Sequence, residues 1–180
     1  MKRAVIFDFD GTIFKSPDRN EGAKTYREAT GMLFPYQGWW GRVETLSPPI
    51  VPEKPGEEWF IEETIKAYRE DAKDENSKLY LMTGRPHKIR RRVIDILDSY
   101  DLKFHEYYFR GHPGSKGRDT LEIKKNLIEA HVLHPKLEIL EIWEDRPEHV
   151  SEFFNLAKRW KANLHKAVIH DVTYGTHIEI

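Results

Sequence analysis

Asp8 and Asp10 stand two residues apart, directly after the apolar run Ala4-Val5-Ile6-Phe7 and just before Gly11. A strand that only needs to pack has no use for two unneutralised carboxylates at its end, so something positive is expected there. A second strand-like stretch, LEILEIW (137–143), also ends in acids, Glu144 and Asp145, and a third, KLYLM (78–82), ends at Thr83. Oxygen ligands from Asp8, Asp10 and Asp145 suit Mg2+, which can hold and neutralise a phosphate oxygen. An ionised aspartate can then attack phosphorus, and Asp10 is placed to protonate the leaving oxygen. Thr83 and the backbone donors of Gly84 and Arg85 would serve the equatorial phosphoryl oxygens. A lysine from the helix expected over 119–130 would add charge. Lys124 and Lys125 both fall near the stripe set by Leu121 and Ile128, so helical phase does not choose between them.

The elements that must position these groups alternate along the chain. Short buried strands are expected at 3–9, 78–84, 104–110, 137–143 and 165–172, the last of them closing the sheet. Helices are expected from Glu57 to about Ala72, over 86–100 with Pro86 in the first turn, from Asp119 to about Ala130, and from Pro147 to Trp160. Asp119 with Glu122 reads as a capping box. This order predicts an α/β fold, a parallel sheet of about five strands covered on both faces. Ligands of such folds bind outside the carboxyl ends of the strands, which is where Asp8, Asp10, Thr83, Glu144 and Asp145 all fall.

With 180 residues, a single domain is expected over 1–180. Residues 15–72 read as an insertion that includes its first helix. Its part up to residue 56 is rich in proline (Pro35, Pro48, Pro49, Pro52, Pro55) and is expected to be mostly irregular. Trp39 and Trp40 lie within it, either as anchors to the body or as a base-stacking platform. Arg85, Arg90, Arg91 and Arg92 read mostly as a solvated helix face, Arg85 excepted. The loop 110–118, which carries Arg110, Lys116 and Arg118 among glycines, is either a mobile surface loop or a phosphate-backbone contact. The nine histidines show no metal-ligand spacing, and His149 is expected to be structural or a weak substrate contact.

Lys plus Arg is 29 against 30 for Asp plus Glu, so bulk charge does not drive nucleic-acid binding. No cysteine is present, which removes disulfides, thiolate metal sites and cysteine nucleophiles and fits a cytoplasmic location. No apolar run approaches a membrane span, and the N-terminus reaches charge too early for a signal peptide.

DFDGTIF, LYLMTGR, a helix carrying Lys124 or Lys125, and EIWEDR occur in the order of the four motifs of the haloacid dehalogenase (HAD) superfamily, and the sequence resembles that superfamily over residues 8–145. The resemblance implies a three-layer Rossmann-like core with a small cap, Asp8 as nucleophile and Asp10 as general acid/base. It also implies Mg2+ held by the Asp8 carboxylate, the Asp10 carbonyl and Asp145. Glu144 stands where an aspartate is usual and would be a second-shell or water-mediated ligand. An Asp at position 10 points to phosphatases rather than dehalogenases. FKSPDRN, GWW, the Thr120-to-Lys124 spacing and IWEDRPEH are further similar to the HAD group of Swiss Army Knife RNA-repair proteins. That likeness selects Lys124 and implies a nucleotide or a nucleic-acid end as substrate, as in polynucleotide kinase-phosphatases, whose EDR triplet Arg146 completes. Gly84, Arg85, Arg146, Trp39 and Trp40 are the expected substrate contacts. The competing expectations are a 5′-nucleotidase or small-molecule phosphatase, a phosphotransferase, and a non-catalytic nucleic-acid-binding module.

Overall fold

The computed structural model describes residues 2–113 and 116–180, so part of the basic loop 110–118 lies outside the described residues. A six-stranded sheet forms the middle layer: β1 (Arg3–Phe7), β2 (Ser77–Pro86), β3 (Glu106–Arg110), β4 (Ile139–Glu144), β5 (Lys166–Asp171) and β6 (Thr176–Glu179). Their order is β3-β2-β1-β4-β5-β6. The first five run parallel, and β6 turns back antiparallel along β5. This Rossmann-like α/β arrangement has one strand more than the sequence predicts. All four residues of β6 are exposed, so it carries no apolar run by which to be recognised.

Side chains alternate across the pleat of β1 and so divide the core in two. Val5 and Phe7 pack with Leu79, Leu81, Trp143 and the α3 residues Val93, Ile96 and Leu97, where α3 is Arg90–Asp98. Ala4 and Ile6 pack on the opposite face with α4 (Thr120–Leu127) and α5 (Pro147–Arg159), through Ile123, Leu127, Val150 and Phe153. The result is three layers, with β1 at the centre of the sheet.

The segment between β1 and β2 departs most from expectation. It contains a 12-residue helix, α1 (Arg19–Thr30), where irregular chain is predicted. Asp18 accepts from the backbone N–H groups of Asn20 and Glu21, and Glu21 returns a bond to the Asp18 N–H, a complete capping box. Gly31 closes the helix in the left-handed conformation, at φ 73°. The helix predicted from Glu57 starts later: Glu57–Trp59 is a single 3-10 turn, and α2 runs Glu62–Asp71. Pro86 belongs to the end of β2, and α3 begins only at Arg90, after a 3-10 turn over His87–Ile89. Asp119 caps α4 through the Glu122 N–H, but Glu122 turns to the backbone of Arg118, so that box is only half formed.

Two buried arginines hold the insertion to the body. Arg92 donates to the carbonyls of Leu46, Pro52 and Glu53 at 2.7–2.8 Å. Arg85 donates to the Trp40 carbonyl at 3.2 Å and the Thr45 hydroxyl at 3.0 Å. Arg92 is thus a structural clamp, which corrects its placement on a solvated helix face. Arg90 and Arg91 are exposed as expected.

Candidate active site

The strand order reverses its direction of growth between β1 and β4, a topological switch point where the loops after the two strands diverge and leave a crevice. Asp8 leaves β1 there, its N–H bonded to the Trp143 carbonyl at 3.0 Å, and Glu144 and Asp145 leave β4 beside it. Gly11 lets the first loop lie against the second. It has φ 71°, and a Cβ on it would stand 2.4 Å from Asp145 Oδ2.

Carboxylate oxygens of Asp8, Glu144 and Asp145 come within 4.8 Å of one another. One cation stands among them: Lys124 Nζ lies 3.0 Å from Asp8 Oδ1 and 2.7 Å from Glu144 Oε2, and all three side chains are buried. Lys125 turns outward to Glu152 at 2.6 Å, so the register of α4 makes the choice that helical phase leaves open. Burial alone would favour neutral Lys124, but the charges and hydrogen bonds of Asp8 and Glu144 prevail and raise it, keeping it a cation. Burial would likewise raise Glu144, but Lys124 and His149 hold it well below the usual carboxylate range. Asp8 goes the other way, raised by burial and by the neighbouring carboxylates against the pull of Lys124. Burial and Glu144 push Asp145 up to about 7.

Three carboxylates sharing one ammonium leave a formal excess of two negative charges. Asp145 Oδ1 and Glu144 Oε1 are buried without a hydrogen-bond partner among the described residues. Buried polar atoms are rarely left so. An all-oxygen donor set with this charge fits a hard divalent cation such as Mg2+. His149, expected to be structural or a weak substrate contact, is buried with Nδ1 3.3 Å from Glu144 Oε2.

Asp10 shares the crevice, but its carboxylate is not part of this cluster. Arg85 Nε reaches both of its oxygens at 3.0–3.1 Å, Nη2 reaches Oδ1 at 2.7 Å, and the Ser16 hydroxyl donates to Oδ1 at 2.6 Å. Arg85 is therefore held mainly by the protein, though it remains at the cavity wall. Thr83 is buried, and its hydroxyl accepts the Arg85 N–H at 3.2 Å. Gly84 and Arg85, rather than Thr83, line the cavity.

That cavity is small, about 130 Å³, and is floored by Asp8, Asp10 and Lys124. Trp40, Arg110, Thr120 and Arg146 complete its walls. The two tryptophans separate. Trp39 is 5% exposed, donates from Nε1 to the Pro17 carbonyl at 2.9 Å, and packs on Gly22 and Phe34. It is an anchor away from the cavity, which removes it from the expected substrate contacts. Trp40 is 44% exposed, and the Arg85 guanidinium lies 5.0 Å from its ring centroid. Arg110, one of the basic residues for which a phosphate contact is an open expectation, does reach the wall, whereas sequence reasoning missed Thr120 as a wall residue. Thr120 sits one helical turn before Lys124 and so shares its face, while Arg110 ends β3 on the same sheet edge.

A Rossmann-like sheet with these carboxylates and this lysine at its switch point defines a protein of the HAD superfamily. The chain belongs to HAD domain family 1 of Swiss Army Knife RNA-repair proteins, whose sequence profile matches residues 24–178. The match takes in Thr83, Lys124, Glu144 and Asp145, and it begins after Asp8 and Asp10. Among solved structures, the chain is similar to one from the Pnkp1/Rnl/Hen1 complex, at 19% identity and a TM-score of 0.54, covering 91% of this chain and 44% of that one. A structure of the Pnkp1/Rnl/Hen1 RNA repair complex gives 16%, 0.55, 94% and 42%. The HAD domain of effector protein Lem4 from Legionella pneumophila gives 14%, 0.52, 94% and 85%. At these identities the likeness is one of fold, and the chain spans less than half the length of the two repair-complex chains. Among the described residues no helix is long and apolar enough to cross a membrane.

Proposed function

We propose that this protein is a Mg2+-dependent phosphomonoester hydrolase acting through an aspartyl-phosphate on Asp8, with the terminal phosphate of a nucleic acid or nucleotide as its substrate. The observation that carries the reading is the buried Lys124, shared by Asp8 and Glu144, beneath a cavity walled by Arg110 and Arg146. The cavity accommodates a phosphoryl group and leaves the remainder of a substrate outside.

Asp8, Asp145 and the Asp10 carbonyl would hold Mg2+, with Glu144 behind them, and the ion would supply positive charge to the phosphoryl oxygens. Asp8 attacks phosphorus, and the bond from phosphorus to the leaving oxygen breaks. Asp10 gives that oxygen its proton. Water then attacks the aspartyl-phosphate, Asp10 takes a proton from it, and inorganic phosphate leaves. Lys124, Arg146 and the Gly84 N–H stabilise charge on the equatorial oxygens. Oδ2 is the less engaged Asp10 oxygen, with Arg85 Nε at 3.0 Å as its contact, and it serves as the proton-transfer atom. The segment 15–72 acts as a cap over this site, contributing Trp40 to the wall.

The test is phosphate release with Mg2+ from RNA and DNA oligonucleotides phosphorylated at either end, from mononucleotides and from an aryl phosphate. Wild type releases phosphate. Asp8→Asn, which keeps the side-chain volume but removes the nucleophile, releases none above background. Turnover persisting in Asp8→Asn would overturn the mechanism.

A further inference from the structure

The phosphate-sized cavity opens beside a second and larger depression of about 450 Å³, between insertion residues Gly41–Glu44 and the start of α3. The two adjoin through chain neighbours. Trp40 lines the cavity and Gly41 the groove, and a Cβ on Gly41 would lie 3.9 Å from Pro86, next to Arg85. A chain tethered to a phosphate in the cavity and extending past Trp40 has this groove as its neighbouring depression.

The groove is positive in a protein whose net charge is -1. Arg42, Lys88, Arg91 and Arg92 line it against Glu44 and Asp95. Arg92 is spent on insertion carbonyls, and Arg91 meets Asp95 at 2.9 Å while its side chain stays 89% exposed. Among the described residues, neither Lys88 nor Arg42 has a carboxylate partner. Arg42 instead donates to the Gln37 carbonyl and lies over the Tyr36 ring. At the junction stands Trp40, half-exposed, one ring face backed by Arg85. Cations along a groove with an open aromatic ring at its mouth match a chain of phosphates with unpaired bases.

We infer that this groove is a track for single-stranded nucleic acid. Lys88, Arg91 and Arg42 contact internal phosphates, and Trp40 stacks on the base next to the terminal phosphate. The inference rests on the reading of the small cavity as the phosphate site. It specifies a polymer as substrate in preference to a mononucleotide, and a single strand in preference to a duplex, because only an unpaired strand can bend along the groove with its bases turned toward an aromatic ring.

Two measurements on Lys88→Glu/Arg91→Glu decide it, with Lys88→Gln/Arg91→Gln as the milder variant should the reversal not fold. The first is the ratio of kcat/KM on an end-phosphorylated single strand of about ten nucleotides to kcat/KM on an aryl phosphate. The ratio falls about tenfold or more, chiefly through KM on the oligonucleotide. A ratio within about twofold of wild type, or a phosphopeptide turned over faster than the oligonucleotide by wild type, overturns the inference. The second is anisotropy of a labelled, unphosphorylated strand across a salt series without Mg2+, which needs no catalysis. Wild type binds it more tightly than a dinucleotide, and the neutral variant has a log-affinity salt slope shallower by about 1.4, two contacts' worth for single strands. Equal binding of strand and dinucleotide overturns the track. If wild type hydrolyses nothing yet binds the strand with that slope change, the catalytic reading fails and the track stands.

Discussion

Lys124→Met removes the single positive charge from a buried acidic cluster while keeping most of the side-chain volume. In the wild type, Nζ lies 3.0 Å from Asp8 and 2.7 Å from Glu144, and none of the three side chains is more than 8% exposed. Removing one member of a buried ion pair costs about 3–5 kcal/mol, because the remaining charge is desolvated and unpaired. For a chain of this size each kcal/mol moves Tm by about 2–4 °C, so a fall of about 6–20 °C is expected. Lys125→Met is the control. Its partner Glu152 is 41% exposed, and such surface pairs contribute about 0–1 kcal/mol. Thermal unfolding of both variants at pH 7, without divalent ions, is the assay. The Lys124→Met deficit narrows on acidification, because without the lysine Asp8 and Glu144 take up protons more readily in the folded state than in the unfolded one. A fall of less than about 3 °C for Lys124→Met, or an equal fall for Lys125→Met, refutes the reasoning that Lys124 is the neutralising residue of the cluster.

Trp39→Ala should destabilise by about 3–5 kcal/mol, as large-to-small changes of buried aromatics do. Limited proteolysis should then cut within residues 15–61, whereas Trp40→Ala leaves that segment resistant; cleavage that is the same in both would show Trp39 is no anchor. At the opposite end of the sheet, burial alone would raise Glu141, but His170 at 2.9 Å and Arg3 at 2.6 Å hold it at about 2. A carboxyl lowered in this way stabilises the fold above its ordinary value of 4.5 and loses that contribution as pH falls through about 2. In urea titrations, Glu141→Gln should therefore be less stable than wild type by about 3 kcal/mol near neutral pH, with the gap shrinking toward pH 2. A gap independent of pH would refute it.

Much of the sheet is legible because parallel strands are buried on both faces and read as apolar runs. Ala4–Phe7 and Leu79–Met82 are such runs, and Leu140–Trp143 is one broken only by Glu141; each is followed closely by a site residue. β6 escapes because an edge strand with four exposed residues has no such signature. α1 escapes for a related reason: it buries only Gly22, so apolar periodicity is weak, although Asp18 and Glu21 carry the capping pattern in plain view. Adjacent like residues are beyond the reach of periodicity for another reason, and only the family likeness separates Lys124 from Lys125. Trp39 and Trp40, or Lys124 and Lys125, differ only by about 100° of rotation or one step of irregular chain. Tertiary docking decides which of each pair is buried. Arg92 misleads in the same way, since arginine is seldom buried unless its donors find acceptors.

Arg85 shows why those acceptors matter to the site. Its Nε and Nη2 hold Asp10, while Nη1 holds the Trp40 carbonyl and the Thr45 hydroxyl of the insertion. A planar guanidinium spans both sets at once; a lysine ammonium, a single point of charge, does not. The aim of Asp10 therefore depends on the insertion being docked, because without Trp40 and Thr45 the guanidinium loses the contacts that fix its plane. Ser16, at the root of the same insertion, adds a 2.6 Å bond to Asp10. The segment that frames the mouth of the cavity and the carboxylate proposed to move the proton are thus one mechanical unit, with Trp40 at its substrate-facing end and Asp10 at the other.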